Sequence, residues 1–148
     1  MYKAAVRMMI KRNIARANRG DFSSTMKMFA DDATLSFPGN NTWSNMFRPT
    51  QVGREAFVTH RGKDELKQFL QRYVDEKLQM VVDDILVNGP PWNTRVAIRV
   101  HHWVTGADGT DIYTNRAVLF VNTRWGKIIS QEDYEDTERI AAFDRARG

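Results

Sequence analysis

The 148-residue chain contains no cysteine, which excludes disulfide bonds and thiolate metal sites. Because disulfide cross-links are typical of secreted proteins, their absence favours a cytoplasmic location. The sequence also lacks an uninterrupted run of about 18 apolar residues, so no membrane-spanning helix is predicted. Lysine and arginine interrupt the apolar residues near the N-terminus, and no small-residue cleavage site follows them. We therefore predict no signal peptide.

Motifs for metals, nucleotides and nucleophilic hydrolysis are also missing. The chain has 3 histidines, and none stands at a spacing typical of a zinc site. It has no Gly-x-Ser-x-Gly motif, no glycine-rich phosphate loop and no dinucleotide fingerprint. We therefore predict neither a metal nor a cofactor.

Acidic residues are absent before Asp21, although the stretch is rich in cations and the whole chain carries a net charge of +4. These cations are Lys3, Arg7, Lys11, Arg12, Arg16 and Arg19. A basic helix of this kind can bind nucleic acid or anionic lipid. Because no aromatic platform or groove-reading motif accompanies the cations, we interpret them as a solvated helix face and expect no nucleic-acid partner.

The residues that are present have an ordinary globular composition, with 42% hydrophobic and 27% charged residues. We expect a single domain over residues 1–148. Apolar residues that recur at steps of three and four predict the helices. Helices are predicted over 6–17, from Phe22 to near Asp31-Asp32, over 63–78 and, after a cap at Asp136 or Thr137, through Phe143.

The second half of the chain alternates apolar and polar residues, as strands do. Strands are predicted over 34–37, 80–87, 94–104, 111–121 and 127–134. Residues 54–61 fit no pattern. Three helices followed by a meandering antiparallel sheet indicate the α+β class.

A loop is predicted over 38–49, where glycine, asparagine and proline are frequent. This loop nevertheless carries Trp43, Met46 and Phe47. Exposed loops rarely hold three large apolar side chains unless they fold inward, so we expect Trp43 and Phe47 to form the wall of a pocket.

The strand over 94–104 has two different faces, because side chains alternate along a strand. One face carries Arg95, Ala97, Arg99, His101 and Trp103, and the other carries Val96, Ile98, Val100, His102 and Val104. The first face mixes cations, an imidazole and an indole, which predicts a polar pocket lining. The alternative is that the two arginines form cross-strand ion pairs on a wet face. The apolar face would serve as core or as a dimer interface.

Asp133 is the carboxylate best placed to meet an arginine of a neighbouring strand. Such a pair would keep the carboxylate ionised, and it could then act as a general base for water. A purely structural salt bridge is the alternative. On the strand between, Tyr113 and Asn115 could donate hydrogen bonds to a ligand oxygen, although Asn115 could equally satisfy backbone groups at a bulge.

Four stretches of the chain resemble the SnoaL-like superfamily, which includes polyketide cyclases, ketosteroid isomerase, scytalone dehydratase and limonene-epoxide hydrolase. The stretches are 19–22 with 29–33, 53–56, 113–120, and 126–128 with 133–136. The resemblance implies a nuclear-transport-factor-like cone. In it, a curved, mixed but mostly antiparallel sheet is wrapped by about three N-terminal helices around one pocket. It also implies a homodimer that forms through the outer face of the sheet. The fold hosts enzymes, binding proteins and dimerisation modules.

The segment Trp43-Ser44-Asn45-Met46 is similar to the Tyr-x-Asn-Met segment of limonene-epoxide hydrolase. In that enzyme Tyr, Asn and a C-terminal Asp hold the attacking water, while an Arg-x-Asp pair supplies a cation and an acid. By position Asn45, Asp133 and Arg95 match the Asn, the water-binding Asp and the Arg. Ala97 stands where the acid would be, so epoxide hydrolysis is not expected unless His101 replaces that acid.

These observations together predict a small-molecule-binding protein that acts as an acid–base enzyme on an apolar or polycyclic substrate. Isomerisation, cyclisation, dehydration and hydrolysis all stay open, and a non-catalytic ligand-binding or dimerisation module is the alternative. The predicted catalytic residues are Asp133, Asn45, Arg95 and His101. The predicted ligand contacts are Trp43, Phe47, Tyr73, Arg99, Tyr113 and Asn115. The expected partners are a small-molecule ligand and a second copy of the chain, with no nucleic acid and no membrane.

Overall fold

The computed structural model describes residues 1–38 and 57–147. Trp43, Asn45 and Phe47 lie outside these residues, so their assigned roles stay predictions. Within the described ranges no helix is long and apolar enough to cross a membrane.

The chain forms four helices and one six-stranded sheet within the described residues. The helices are α1 (Tyr2–Ala17), α2 (Ser23–Met28), α3 (Gly62–Asp75) and α4 (Thr137–Arg147). The strands are β1 (Phe29–Pro38), β2 (Phe57–Arg61), β3 (Gln79–Asn88), β4 (Thr94–Thr105), β5 (Asp111–Arg124) and β6 (Lys127–Glu135). Their order in the sheet is β2-β1-β6-β5-β4-β3, and only β1 and β6 are parallel. The predicted α+β class and mixed, mostly antiparallel sheet are confirmed.

Two stretches near the edge of the sheet differ from the prediction. Residues 57–61 form β2, which pairs with β1, although the sequence pattern gave this segment no assignment. β1 begins at Phe29 rather than at residue 34, so α2 ends at Met28 and the prediction that it reaches Asp31-Asp32 is wrong. Residues 30–32 belong to the strand although they lack apolar alternation. Pairing with neighbouring strands, which sequence periodicity does not record, decides both cases.

Helix α3 buries one face against the sheet. Leu66, Phe69, Leu70 and Tyr73 recur at helical spacing and are all buried. At its start the Glu65 side chain accepts a hydrogen bond from the backbone N–H of Arg61 (2.8 Å), which satisfies one donor at the helix end. Its buried face packs over the inner face of β1.

An irregularity in the pairing of β5 with β6 decides which side chains of β6 point inward. Thr123 pairs with Ile128 but Asn122 pairs with Ser130, so β6 carries one extra residue at this point. The extra residue shifts the inward face by one position. After this point Gln131, Asp133 and Glu135 point toward the helices, and the residues that alternate with them point away.

Candidate active site

A cavity of about 280 Å³ lies between the inner face of the sheet and helices α1, α2 and α3. Most of its lining is aliphatic or aromatic. Representative apolar lining residues are Met9, Ile10, Leu35, Phe69, Ile98 and Leu119. The polar or titratable lining includes Asn13, Tyr73, His102, Gln131, Asp133 and Glu135. A few polar groups in a mainly apolar concavity are typical of small-molecule sites.

Asp133 is buried, with 7% of its surface exposed. Burial raises the pKa of this carboxyl to about 7, because the charged form loses its hydration. Gln131 Nε2 donates a hydrogen bond to Asp133 Oδ1 (2.9 Å), which opposes the rise but does not cancel it. The carboxyl can therefore exchange a proton near neutral pH.

Glu135 lines the same cavity two residues further along β6, and only 4% of its side chain is exposed. Burial, and to a smaller extent the negative charge of Asp133, raise its pKa to about 8. Two carboxyls on one strand face thus share a site with little water. Near neutral pH such a pair holds at least one proton.

His102 is another buried titratable group of the lining, and its Nε2 lies 3.8 Å from Glu135 Oε2. Burial, and to a smaller extent the charge of the nearby His101, lower the pKa of this imidazole to about 4. His102 is therefore neutral at pH 7, where Glu135 is mostly protonated. The two groups form a neutral polar contact rather than an ion pair.

Two of the predicted ligand contacts lie behind His102 rather than in the cavity lining. Tyr113 and Asn115 are buried, and the Tyr113 hydroxyl lies 3.2 Å from His102 Nε2. Tyr73 does line the cavity. Its hydroxyl donates to Asn18 Oδ1 (2.8 Å), and burial raises its pKa.

Residues 10–131 match the family model of the SnoaL-like domain. The chain belongs to the SnoaL-like domain family. A search of curated protein sequences finds no match to the chain.

Solved structures share the fold of this SnoaL-like protein at low identity. The structure of TerC co-crystallised with polyporic acid is 18% identical with a TM-score of 0.69, over 93% of this chain and 96% of TerC. A Burkholderia pseudomallei NTF2-like protein of unknown function is 16% identical with a TM-score of 0.68, over 93% and 95% of the two chains. A loop-truncation variant of IdmH is 18% identical with a TM-score of 0.66, over 92% and 96%. At these identities the likeness shows the fold alone.

The position of Arg95, Arg99 and His101 in this SnoaL-like protein corrects the sequence analysis. All three side chains are exposed on the outer face of the sheet, and His101 Nδ1 lies 2.8 Å from Asp83 Oδ1. The apolar face of β4 turns inward instead, because burying valine and isoleucine is favourable whereas burying arginine without a partner is costly. The prediction that these three residues line the pocket is wrong.

The expected arginine partner of Asp133 is likewise missing. Within residues 1–38 and 57–147 no salt bridge joins Asp133 to a cation, and its hydrogen-bond donor is Gln131. The carboxyl is consequently easier to protonate than the sequence analysis assumed. Ala97 lies on the outer face beside the arginines. The residues compared with the Arg-x-Asp pair of limonene-epoxide hydrolase, Arg95 and Ala97, therefore do not line the cavity.

Sequence reasoning missed His102 and Glu135 as site residues. The signal for His102 was its position as the one imidazole on an apolar strand face, since a buried polar group requires partners. The signal for Glu135 was its i+2 spacing from Asp133, which places both on one face of a strand.

Proposed function

We propose that this SnoaL-like chain binds a small apolar or polycyclic molecule in its cavity and is a cofactor-independent acid–base enzyme. The observation that carries the proposal is the pair Asp133 and Glu135, two buried cavity-lining carboxyls with pKa values of about 7 and about 8. Perturbed carboxyls that converge on an apolar cavity are typical of catalytic sites.

The two carboxyls divide the roles of base and acid between them. Asp133 has the lower pKa and a hydrogen-bond donor in Gln131, so it ionises first and removes a proton from the substrate. Glu135 keeps its proton at neutral pH and donates it, or a hydrogen bond, to a substrate oxygen. Isomerisation, cyclisation, dehydration and hydrolysis all need such a proton removed and returned. General acid–base catalysis contributes about 10²–10⁴-fold to a rate.

The apolar lining supports a substrate with little polar surface. TerC, which shares the fold, was co-crystallised with polyporic acid. Epoxide hydrolysis is not part of the proposal, because Arg95 and Ala97 lie on the outer face.

Proton abstraction can be tested before the natural substrate is known. Mono- and polycyclic ketones are incubated with the protein in D₂O, and NMR follows deuterium incorporation beside the carbonyl. We expect exchange with the wild type and a loss of about 100-fold or more in Asp133→Asn. Glu132→Gln, one residue away on the opposite face, is the matched control and retains the wild-type rate.

Binding without exchange favours the alternative function, a non-catalytic ligand-binding module. Thermal-shift measurements with the same ketones give the binding result. If no ketone binds and none exchanges, the proposal is contradicted.

We also propose a homodimer that forms through the outer face of the sheet. Leu86, Val118 and Tyr134 are 65%, 38% and 44% exposed on this face. Leu86 pairs with Ala97, and Val118 pairs with Tyr134, so each of four strands places an apolar residue on this face. Val118 itself lies opposite Arg99 of β4. Light scattering should give twice the chain mass, and Val118→Glu should reduce it to one chain mass.

A single domain over residues 1–148 and a cytoplasmic location stay predictions.

A further inference from the structure

Asn115 is fixed in one orientation by two backbone groups. Its Oδ1 accepts a hydrogen bond from the backbone N–H of Arg116 (2.8 Å), and its Nδ2 donates to the carbonyl oxygen of Asp136 (2.9 Å). Exchanging the amide oxygen and nitrogen would place donor against donor and acceptor against acceptor. The structure therefore determines which end of this side chain donates.

Asn115 Nδ2 also donates to the Tyr113 hydroxyl oxygen (3.0 Å). That hydroxyl lies 3.2 Å from His102 Nε2. Because its oxygen already accepts from Asn115, the hydroxyl has its own proton to donate to the imidazole. Glu135 Oε2, at 3.8 Å from the same nitrogen, is too distant to compete for a hydrogen bond.

We propose that Tyr113 and Asn115 are positioning residues that hold neutral His102 with its proton on Nδ1. In this arrangement Nε2 accepts from Tyr113, and Nδ1–H has no hydrogen-bond partner among the described residues. His102 then has its only unprotonated ring nitrogen, Nε2, held by Tyr113, and its Nδ1–H is a buried donor. Its use in proton transfer rests on the proposed function, but the position of its proton rests on this geometry alone.

Helix α4 and its cap contact Tyr113 and Asn115, the two residues that form the hydrogen-bond chain to His102. The ring of Tyr113 packs on Phe143 with 4.8 Å between ring centroids. Asp136, whose carbonyl holds Asn115, also caps α4 by accepting from the backbone N–H of Glu138 (3.1 Å). Removing the Tyr113 hydroxyl alone therefore leaves the packing of this region in place.

NMR on the full ¹⁵N-labelled chain measures the tautomer directly. Long-range ¹H–¹⁵N spectra at pH 7 report both ring nitrogens of each histidine, and His102→Gln assigns the signals of His102. We expect Nδ1 to carry the proton in the wild type. In Tyr113→Phe the ratio of Nδ1–H to Nε2–H should fall about fivefold, the size of one net hydrogen bond. Asn115→Leu should lower the ratio in the same direction.

Tyr134→Phe is the matched control, because it removes a hydroxyl that donates to Glu132 on the exposed face (2.6 Å). It should leave the His102 signals unchanged, and the remaining amide signals check the fold of each variant. A wild-type proton on Nε2, or an unchanged ratio in Tyr113→Phe, overturns the inference. The tautomer measurement contains no substrate, so it tests the position of the His102 proton separately from the proposed function. The ketone exchange experiment tests that function.

Discussion

Glu135 shows how neighbours on one strand face control the chemistry of a single side chain. Burial is the larger cause of its raised pKa, and the charge of Asp133 is the second. Both disfavour the ionised form, so Glu135 holds its proton after Asp133 has lost one. The difference between the two carboxyls depends on their being close together in a site with little water.

Replacing Asp133 by Asn should lower the pKa of Glu135, because the second negative charge is removed. The pKa should stay above the ordinary 4.5, since burial remains the larger cause. Carboxyl ¹³C shifts followed against pH measure the change. Glu132→Gln removes a neighbouring charge on the opposite face and should leave the pKa of Glu135 where it is. An unchanged value in Asp133→Asn would show that the carboxyls do not interact.

Among the elements, turns and bulges decide where the cavity-lining residues point. The extra residue in β6 turns Asp133 and Glu135 inward. The turn between β3 and β4 depends on Gly89, whose φ is +91° and whose missing side chain leaves room for the Asn93 carbonyl oxygen. A Cβ at this position would overlap with that oxygen.

Gly89→Ala should destabilise the fold by about 2–4 kcal/mol, since backbone strain and the overlap add. Gly109→Ala is the matched control. Gly109 also has a positive φ (+82°), but a Cβ there meets no atom within 4 Å, so only the strain of about 1–2 kcal/mol is expected. Urea unfolding of both variants gives the two free energies. Equal losses would contradict the overlap.

For the whole molecule, the buried titratable groups determine how stability depends on pH. Asp133 and Glu135 have folded-state pKa values raised from 3.8 to about 7 and from 4.5 to about 8. The folded state therefore binds more protons than the unfolded state between these values, and stability falls as pH rises. His102 has the opposite effect between about 4 and 6.5, because its folded-state pKa is lowered.

The free energy of unfolding should therefore fall as pH rises from about 4.5 to 8, most steeply where His102 no longer opposes the carboxyls. Each proton that the folded state binds in excess of the unfolded state changes the free energy of unfolding by on the order of 1.4 kcal/mol per pH unit. Chemical denaturation at a series of pH values measures this slope. The double variant Asp133→Asn, Glu135→Gln should flatten the curve above pH 6.5. A wild type that gains stability from pH 6.5 to 8 would contradict the assigned titrations.

Local sequence signals determined most of the elements and one site residue. The α3 stripe of Leu66, Phe69 and Leu70 and the strand alternation in β4 follow from the geometry of helices and strands, so they are readable without the fold. Asp136 was expected as a possible cap of the last helix, and it accepts hydrogen bonds from the first turn of α4. Asp133 was predicted from its strand position and from its match to the water-binding Asp of limonene-epoxide hydrolase, and it lines the cavity.

What the sequence could not decide was which face of each strand meets the helices. Alternation divides β4 into two faces, but only the tertiary structure, in which α1 and α3 enclose the cavity, turned Val96 and Ile98 inward with His102 and left Arg95 and Arg99 outside. The pairing irregularity in β6 is also a property of two strands together. The sequence by itself determined the α+β class, because periodicity is local. The tertiary structure decided the pocket chemistry, because burial and proximity raise or lower a pKa only once distant segments are packed together.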